Sequence, residues 1–335
     1  MEAMKAMKAM KVYIGYQSAL EYWRIHRALP EGGVLRRRIV TLPGALPSAG
    51  QVRSAGLVLP LHVMLNNPGY RWPSQTIVQH VFSGKTAVGC FVSAGNEFEV
   101  SSPEFCFLQM AGQLSLPGLI ELGYELCGAY SLPVAGETKV PDPGFYKRRP
   151  LTSLKKLSAF VAGMSGFTGH KNAERALRYI LEGSASPMET KLAILLTLPY
   201  KLGGFGLPKP ELNVRIVPSK TAEKAFGKEF YICDLFWPDH NIAVEYDSDQ
   251  FHTDSKQIAN DSTKRNALTM MGVIVLTVTT QQFFRTIEFE KAAGAIAKCL
   301  GKRLVYKNPG FIYAYNDLRD HLLPHNEQQG KNLQR

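Results

Sequence analysis

Residues 230–252 read Phe-Tyr-Ile-Cys-Asp-Leu-Phe-Trp-Pro-Asp-His-Asn-Ile-Ala-Val-Glu-Tyr-Asp-Ser-Asp-Gln-Phe-His. Two apolar runs of β type flank a Pro-Asp-His-Asn turn, the pattern of a hairpin. Each run carries a carboxylate where a core residue is expected, Asp234 in the first and Glu245 in the second. A turn symmetric about Asp239 and His240 sets Phe236 opposite Ala243 and Asp234 opposite Glu245. Directly opposed antiparallel residues have Cβ atoms roughly 4.5–5.5 Å apart, and like charges so placed repel. Such a pair persists when a proton or a cation is shared between the two. The same register sets Ile232 opposite Asp247, which adds a third carboxylate to that face. Asp234, Glu245 and Asp247 are therefore expected to hold a hard divalent cation through oxygen, Mg²⁺ first and Mn²⁺ as the alternative.

A plainer reading stands beside this one. Isolated carboxylates on strands are commonly found at exposed edges, and a turn of odd length would set Asp234 and Glu245 on different faces. The neighbours Cys233, Leu235, Phe236, Val244 and Tyr246 make both runs largely apolar, which argues against exposure.

The chain has 335 residues, which suggests two domains, and its apolar fraction of 45% suffices for a sizeable core. Lys and Arg outnumber Asp and Glu by 39 to 28, a net charge of +11. Residues 1–60 and 141–180 together carry that whole excess. Concentrated basic charge suits a polyanion, most simply DNA with RNA as the alternative, in binding that weakens with salt. A solvated, solubilising face is the competing explanation. The five cysteines (Cys90, Cys106, Cys127, Cys233 and Cys299) are widely spaced and form no CxxC pair. That argues against a disulfide framework or a zinc site and for reduced thiols in a cytoplasmic protein. No apolar run reaches the ~18 residues that span a bilayer, so no membrane partner is expected. The opening Met-Glu-Ala-Met-Lys-Ala-Met-Lys-Ala-Met lacks the apolar core of a signal peptide. Self-association is open.

Helical spacing covers residues 12–29 through Tyr16, Leu20, Trp23 and Leu29, and residues 34–100 are expected to be β-rich. Ser101-Ser102-Pro103-Glu104 opens a helix, with a cap, an early Pro and an early Glu. A second helix is expected over Leu116–Tyr130. Residues 131–152 hold four prolines and the Lys147-Arg148-Arg149 run and are expected to be a linker. Helices follow around 153–164 and 171–182, the second bearing Lys171, Arg175 and Arg178 on one face, where a DNA backbone could lie. Ser186-Pro187-Met188-Glu189 opens a helix to about Leu198. Strands at 212–217, 230–237 and 241–247, a helix at 256–271, a strand at 273–279 and a helix at 281–299 complete a mixed α/β sheet flanked by helices. The expected division is an α+β domain over 1–130, the linker, a helical connector over 153–182, a second domain over 183–310, and a C-terminal helix with a polar tail over 311–335.

Residues 183–299 resemble the PD-(D/E)XK nuclease superfamily, in the branch of very-short-patch-repair (Vsr)-like endonucleases, with its restriction-endonuclease-like fold. The resemblance covers about a third of the chain. It is carried by Ser-Pro-Met-Glu189, by Cys-Asp234-Leu-Phe-Trp-Pro-Asp, by Ala-Val-Glu245-Tyr-Asp247 with His252, by Asp261-Ser-Thr-Lys264-Arg265-Asn-Ala-Leu, and by the strand Val273–Val278. The N-terminal half resembles more loosely an AbiEi-type antitoxin-like module, through Glu99-Val-Ser-Ser-Pro-Glu-Phe-Cys-Phe-Leu-Gln-Met-Ala.

The nuclease resemblance implies that Asp234 and Glu245, with the carbonyl of Tyr246, hold Mg²⁺, and that Glu189 binds through water or orients the attacking water. Glu189 has a second explanation, a capping box with Ser186. The superfamily usually has Lys where Asp247 stands, so the cation that positions the nucleophile is unassigned. His252 could act as general base or leaving-group acid, or be structural. Lys264 lies three, four and seven residues before Ala267, Leu268 and Met271, on the helix stripe that faces the sheet, and could reach inward. Alternatively its stem covers the core with the amine in water. Arg265 could contact nucleic acid or pair with Asp261. The expected function is a Mg²⁺-dependent endonuclease acting on DNA in prokaryotic defence, mobile-element or repair biology. The alternatives are a non-cleaving DNA-binding regulator of degenerate nuclease fold and a toxin-like RNase.

Overall fold

The structure is a computed structural model that describes residues 11–29, 40–67, 74–82, 86–95, 97–248, 255–304 and 309–323; for Ala222 and residues 255–261 it describes the backbone alone. Mixed sheets flanked by helices place the chain in the α/β class. The chain packs as two compact units. One comprises residues to Leu126 with Ser131–Arg178, the other Cys127–Tyr130 with the residues from Tyr179 onward. Among the described residues no helix is long and apolar enough to cross a membrane.

The first unit contains β1 (Val12–Ile14), α1 (Tyr16–His26), α2 (Ala49–Ser54), β2 (Leu61–Leu65), β3 (Ile77–Val81), β4 (Phe91–Ser93), β5 (Phe98–Ser101), α3 (Pro103–Met110), α4 (Leu116–Cys127), α5 (Leu154–Ala162) and α6 (His170–Leu177). Its sheet runs β3-β2-β1-β5-β4. The helix expected over 12–29 begins only at Tyr16. Val12, Tyr13 and Ile14 pair in parallel with Phe98, Glu99 and Val100, so tertiary pairing overrides the helical spacing there. Ser102 caps α3, its Oγ accepting from Phe105 N at 3.2 Å, and every residue of α3 is buried. The proline-rich segment expected as a linker makes contacts of its own within this unit. Tyr146 Oη donates to Glu137 at 2.5 Å, and Leu151 N donates to Leu126 O at 3.0 Å.

The second unit contains α7 (Pro187–Thr197), β6 (Glu211–Ile216), α8 (Lys220–Phe226), β7 (Tyr231–Trp237), β8 (Ile242–Asp247), α9 (Ser255–Met270), β9 (Ile274–Thr279), α10 (Thr280–Phe284), α11 (Thr286–Cys299) and α12 (Pro309–Leu322). The sheet runs β9-β8-β7-β6. β8 pairs β9 in parallel and β7 antiparallel, and β6 pairs β7 antiparallel. Tyr231, Cys233, Phe236 and Ala243 from the sheet pack with Ala267 and Leu268 of α9 and with Val273. The single helix expected over 281–299 is two helices. Thr279 starts α10 with a capping box to Gln282, and extended Arg285 (φ −91°, ψ 114°) separates α10 from α11.

The turn that precedes β6 imposes a tight constraint. Gly203 has φ +84°, and a Cβ there would fall 2.2 Å from Ala314 O in α12. Gly294, within α11, has open space where a Cβ would project. Gly203→Ala is therefore expected to cost about 2 kcal/mol or more, through backbone strain and steric overlap. Gly294→Ala is expected to gain about 0.5–1 kcal/mol. Urea midpoints of the two variants check both signs.

Candidate active site

The hairpin forms as its sequence suggests, with one departure that matters. Ile242 pairs with Trp237, Ala243 with Phe236 and Val244 with Leu235. The loop between them is Pro238–His240 followed by Asn241 in the left-handed region (φ 51°). The ladder between β7 and β8 stops there, one step before Asp234 and Glu245. Asp234 Oδ2 instead accepts from Tyr246 N at 2.8 Å, taking a donor that a continued ladder would give to the β7 main chain. Side-chain alternation breaks at the same place. Cys233 and Phe236 are three residues apart yet join one core cluster, whereas strict alternation would send them to opposite faces. The facing pair anticipated from the turn is thus a staggered pair, because Asp234 has turned to the backbone.

Glu245 points toward α9. Its Oε2 lies 2.6 Å from Lys264 Nζ, and its Oε1 is buried with no hydrogen-bond partner. Lys264 stands one turn before Ala267 and Leu268, which anchor α9 on the sheet, so its stem runs inward over the core. Of the two readings of Lys264, the inward one is observed.

Glu189 lies in the first turn of α7 and is 8% exposed. Ser186 caps the helix, its Oγ accepting from Glu189 N at 3.1 Å. The return half of the expected capping box goes elsewhere: Glu189 Oε2 accepts from Ala185 N at 2.9 Å and from Asn213 Nδ2 at 2.5 Å. Sequence reasoning missed Asn213. Its signal was a turn-forming residue inside the β run Leu-Asn-Val-Arg-Ile.

The electrostatics follow from burial. Glu189 is pushed up to about 7, first by burial and then by the negative charge of Asp234. Glu245 is pushed up to about 7 by the same two causes in the same order. Burial also raises Asp234, against the opposing effects of Lys264 and the Tyr246 N–H. Burial would lower Lys264, but Glu245 and then Asp234 outweigh it and the ammonium is held above its ordinary range. One firm positive charge therefore serves three crowded carboxylates, and Glu245 Oε1 is left without a donor. Asp234 and Glu245 fit a divalent cation on both counts.

Asp247 does not take the register expected of it. It pairs with Thr279 of β9, not with Ile232, and its carbonyl accepts from Thr280 Oγ1 at 3.2 Å. The expectation of three gathered carboxylate ligands is corrected accordingly: among the described residues no group of three or more His, Cys, Asp or Glu side chains is disposed to hold a metal ion. β8 beyond Val244 pairs with β9 alone, so the expected pairing of Asp247 with Ile232 does not form. Asp247 instead lines a cleft of about 160 Å³ with Glu245, Ser248, Lys264, Arg265 and Thr277. That volume is below the roughly 300–1,000 Å³ of drug-sized sites and suits a small hydrated or anionic group. Arg265 Nη2 donates to Thr277 Oγ1 at 3.2 Å at the exposed side of this cleft.

His252 and the side chain of Asp261 lie outside the described residues. Of the basic residues in the first unit, Lys147, Arg149, Lys171, Arg175 and Arg178 are exposed. Arg148 is half-buried, donating through Nη2 to Glu125 O and through Nη1 to Arg149 O at 2.9 Å. Its guanidinium serves the main chain.

A carboxyl whose folded pKa is raised binds a proton that the unfolded chain releases. For Glu189 that contribution to stability is complete below its ordinary value of 4.5 and is lost as pH rises through about 7. In metal-free protein the urea midpoint is expected to fall between pH 5 and pH 8, and to fall less in Glu189→Gln. Equal slopes in the two proteins would contradict the burial and repulsion described.

The chain matches no family model, no curated protein and no solved structure.

Proposed function

We propose that the second unit is a metal-dependent nuclease of restriction-endonuclease-like fold that hydrolyses phosphodiester bonds in DNA. One observation carries the reading: Glu189 from α7, Asp234 from β7, Glu245 from β8 and Lys264 from α9 interact electrostatically in one buried place beside an open cleft. Acids on two neighbouring strands, a further acid on a preceding helix and a lysine that stays charged are the groups such hydrolysis requires.

Asp234 and Glu245 would hold Mg²⁺ or Mn²⁺, which supplies Lewis-acid polarisation of a phosphoryl oxygen and acidifies water. Lys264 offers the positive charge that Asp247 cannot. Held above its ordinary pKa by Glu245 and Asp234, it acts as a fixed charge toward a phosphate oxygen and not as a proton acceptor. Glu189, fixed by two donors on Oε2, would bind the metal through a water and orient that water for attack. Arg265, at the exposed side of the cleft, contacts the phosphate chain. The exposed Lys147, Arg149, Lys171, Arg175 and Arg178 give the first unit a basic surface for the DNA backbone, and that unit positions the substrate.

The test is nicking of supercoiled plasmid in Mg²⁺. Wild type is expected to cut, and Asp234→Ala and Glu245→Ala to lose at least about 10³-fold. Lys264→Ala is expected to lose about 10²–10³-fold. Digestion of duplex DNA, single-stranded DNA and RNA in parallel is expected to favour duplex. No metal-dependent cutting of any of the three would end the enzyme reading in favour of a DNA-binding regulator, and full activity in Glu245→Ala would end the site assignment.

A further inference from the structure

Asn213 interrupts β6 with a backbone conformation foreign to a strand, φ +50°. Leu212 pairs with Leu235 and Val214 with Cys233, while Asn213 and the Asp234 opposite it are passed over. Asparagine enters the left-handed region more readily than other non-glycine residues, but within a strand it persists there only where its surroundings hold it. Here two hydrogen bonds do so. Asn213 Nδ2 donates to Gly183 O at 3.0 Å and to Glu189 Oε2 at 2.5 Å. Gly183 permits the close approach, since a Cβ there would fall 3.0 Å from Leu212 O. The bond to Gly183 alone would suffice to tie the loop before α7 to the sheet. The second bond goes to a carboxylate and is directed at the site.

We propose that Asn213 is a positioning residue of this site: its left-handed backbone turns the side-chain amide onto Glu189 and fixes that carboxylate beside Asp234. The role rests on the nuclease reading above. The break in alternation at Asp234 and the break in conformation at Asn213 are two sides of one local distortion. It frees Asp234 Oδ2 to take the Tyr246 N–H on one side and frees the Asn213 amide to take Glu189 on the other. Asn213 touches neither the cleft nor the reacting atoms, so it acts through Glu189.

The test uses the full chain with Asn213→Gly, which keeps the left-handed backbone without strain and loses only the amide. The variant is expected to keep the wild-type circular dichroism, to bind Mn²⁺ about tenfold more weakly by calorimetry, and to lose about tenfold in kcat with KM for DNA unchanged. The losses should vanish when the change is made in a Glu189→Ala background. Unaltered Mn²⁺ affinity and kcat in Asn213→Gly would overturn the role, as would equal losses with and without Glu189. If wild type neither binds Mn²⁺ nor cuts, the nuclease reading fails and the positioning role falls with it. The pairing is then read separately from urea midpoints: additive effects of Asn213→Gly and Glu189→Ala would overturn that too.

Discussion

Three carboxylates removed from water around one ammonium set the terms for the second unit. A buried charge without a partner costs far more than an ordinary packing defect. Each acid is therefore engaged by a different part of the fold. Glu189 takes the Ala185 N–H and the Asn213 amide, Asp234 takes the Tyr246 N–H, and Glu245 takes Lys264. The helix start, the strand break and the inward lysine are three responses to one electrostatic demand. The demand is only partly met, since Glu245 Oε1 has no donor and both glutamates are pushed up to about 7. The proposed metal site rests on this incomplete compensation.

The sheet answers the same electrostatic demand in its geometry. A regular antiparallel ladder would direct Asp234 perpendicular to the sheet, beside Phe236. Instead β7 loses its alternation between Cys233 and Phe236, and the acid turns to a main-chain donor. The core of Tyr231, Cys233, Phe236 and Ala243 is thereby continuous against α9, although one residue within the strand is a carboxylic acid. The sheet accommodates an acid within it by giving up a ladder step instead of a core contact.

Much of this was legible in the sequence. The hairpin register followed from the Pro-Asp-His-Asn turn, because loop length fixes pairing. The inward course of Lys264 followed from its spacing to Ala267 and Leu268, and the cap at Ser102 from its Ser-Pro-Glu context. Asp247 was misjudged because turn symmetry was carried past the point where β8 exchanges β7 for β9. The strand at Val12–Ile14 was hidden because its partner lies some 86 residues away in β5, and local spacing holds no trace of it. Asn213 was missed because no local rule says that a turn residue within a strand serves a distant helix. The break at Arg285 was unseen because the Thr279–Gln282 cap was not read as a separate start.

The arrival of Lys264 on the crossover helix has a consequence for the order in which the unit assembles. Asp234 and Glu245 sit on one hairpin with a short loop, an element that closes in about 1–10 μs. Lys264 reaches Glu245 only across 19 residues, once α9 has docked and β9 has paired in parallel. Non-local closures of that kind come late. The hairpin gathers the acids and the crossover helix brings their counter-charge, so a substitution that loosens α9 from the sheet unbalances the site without touching an acid.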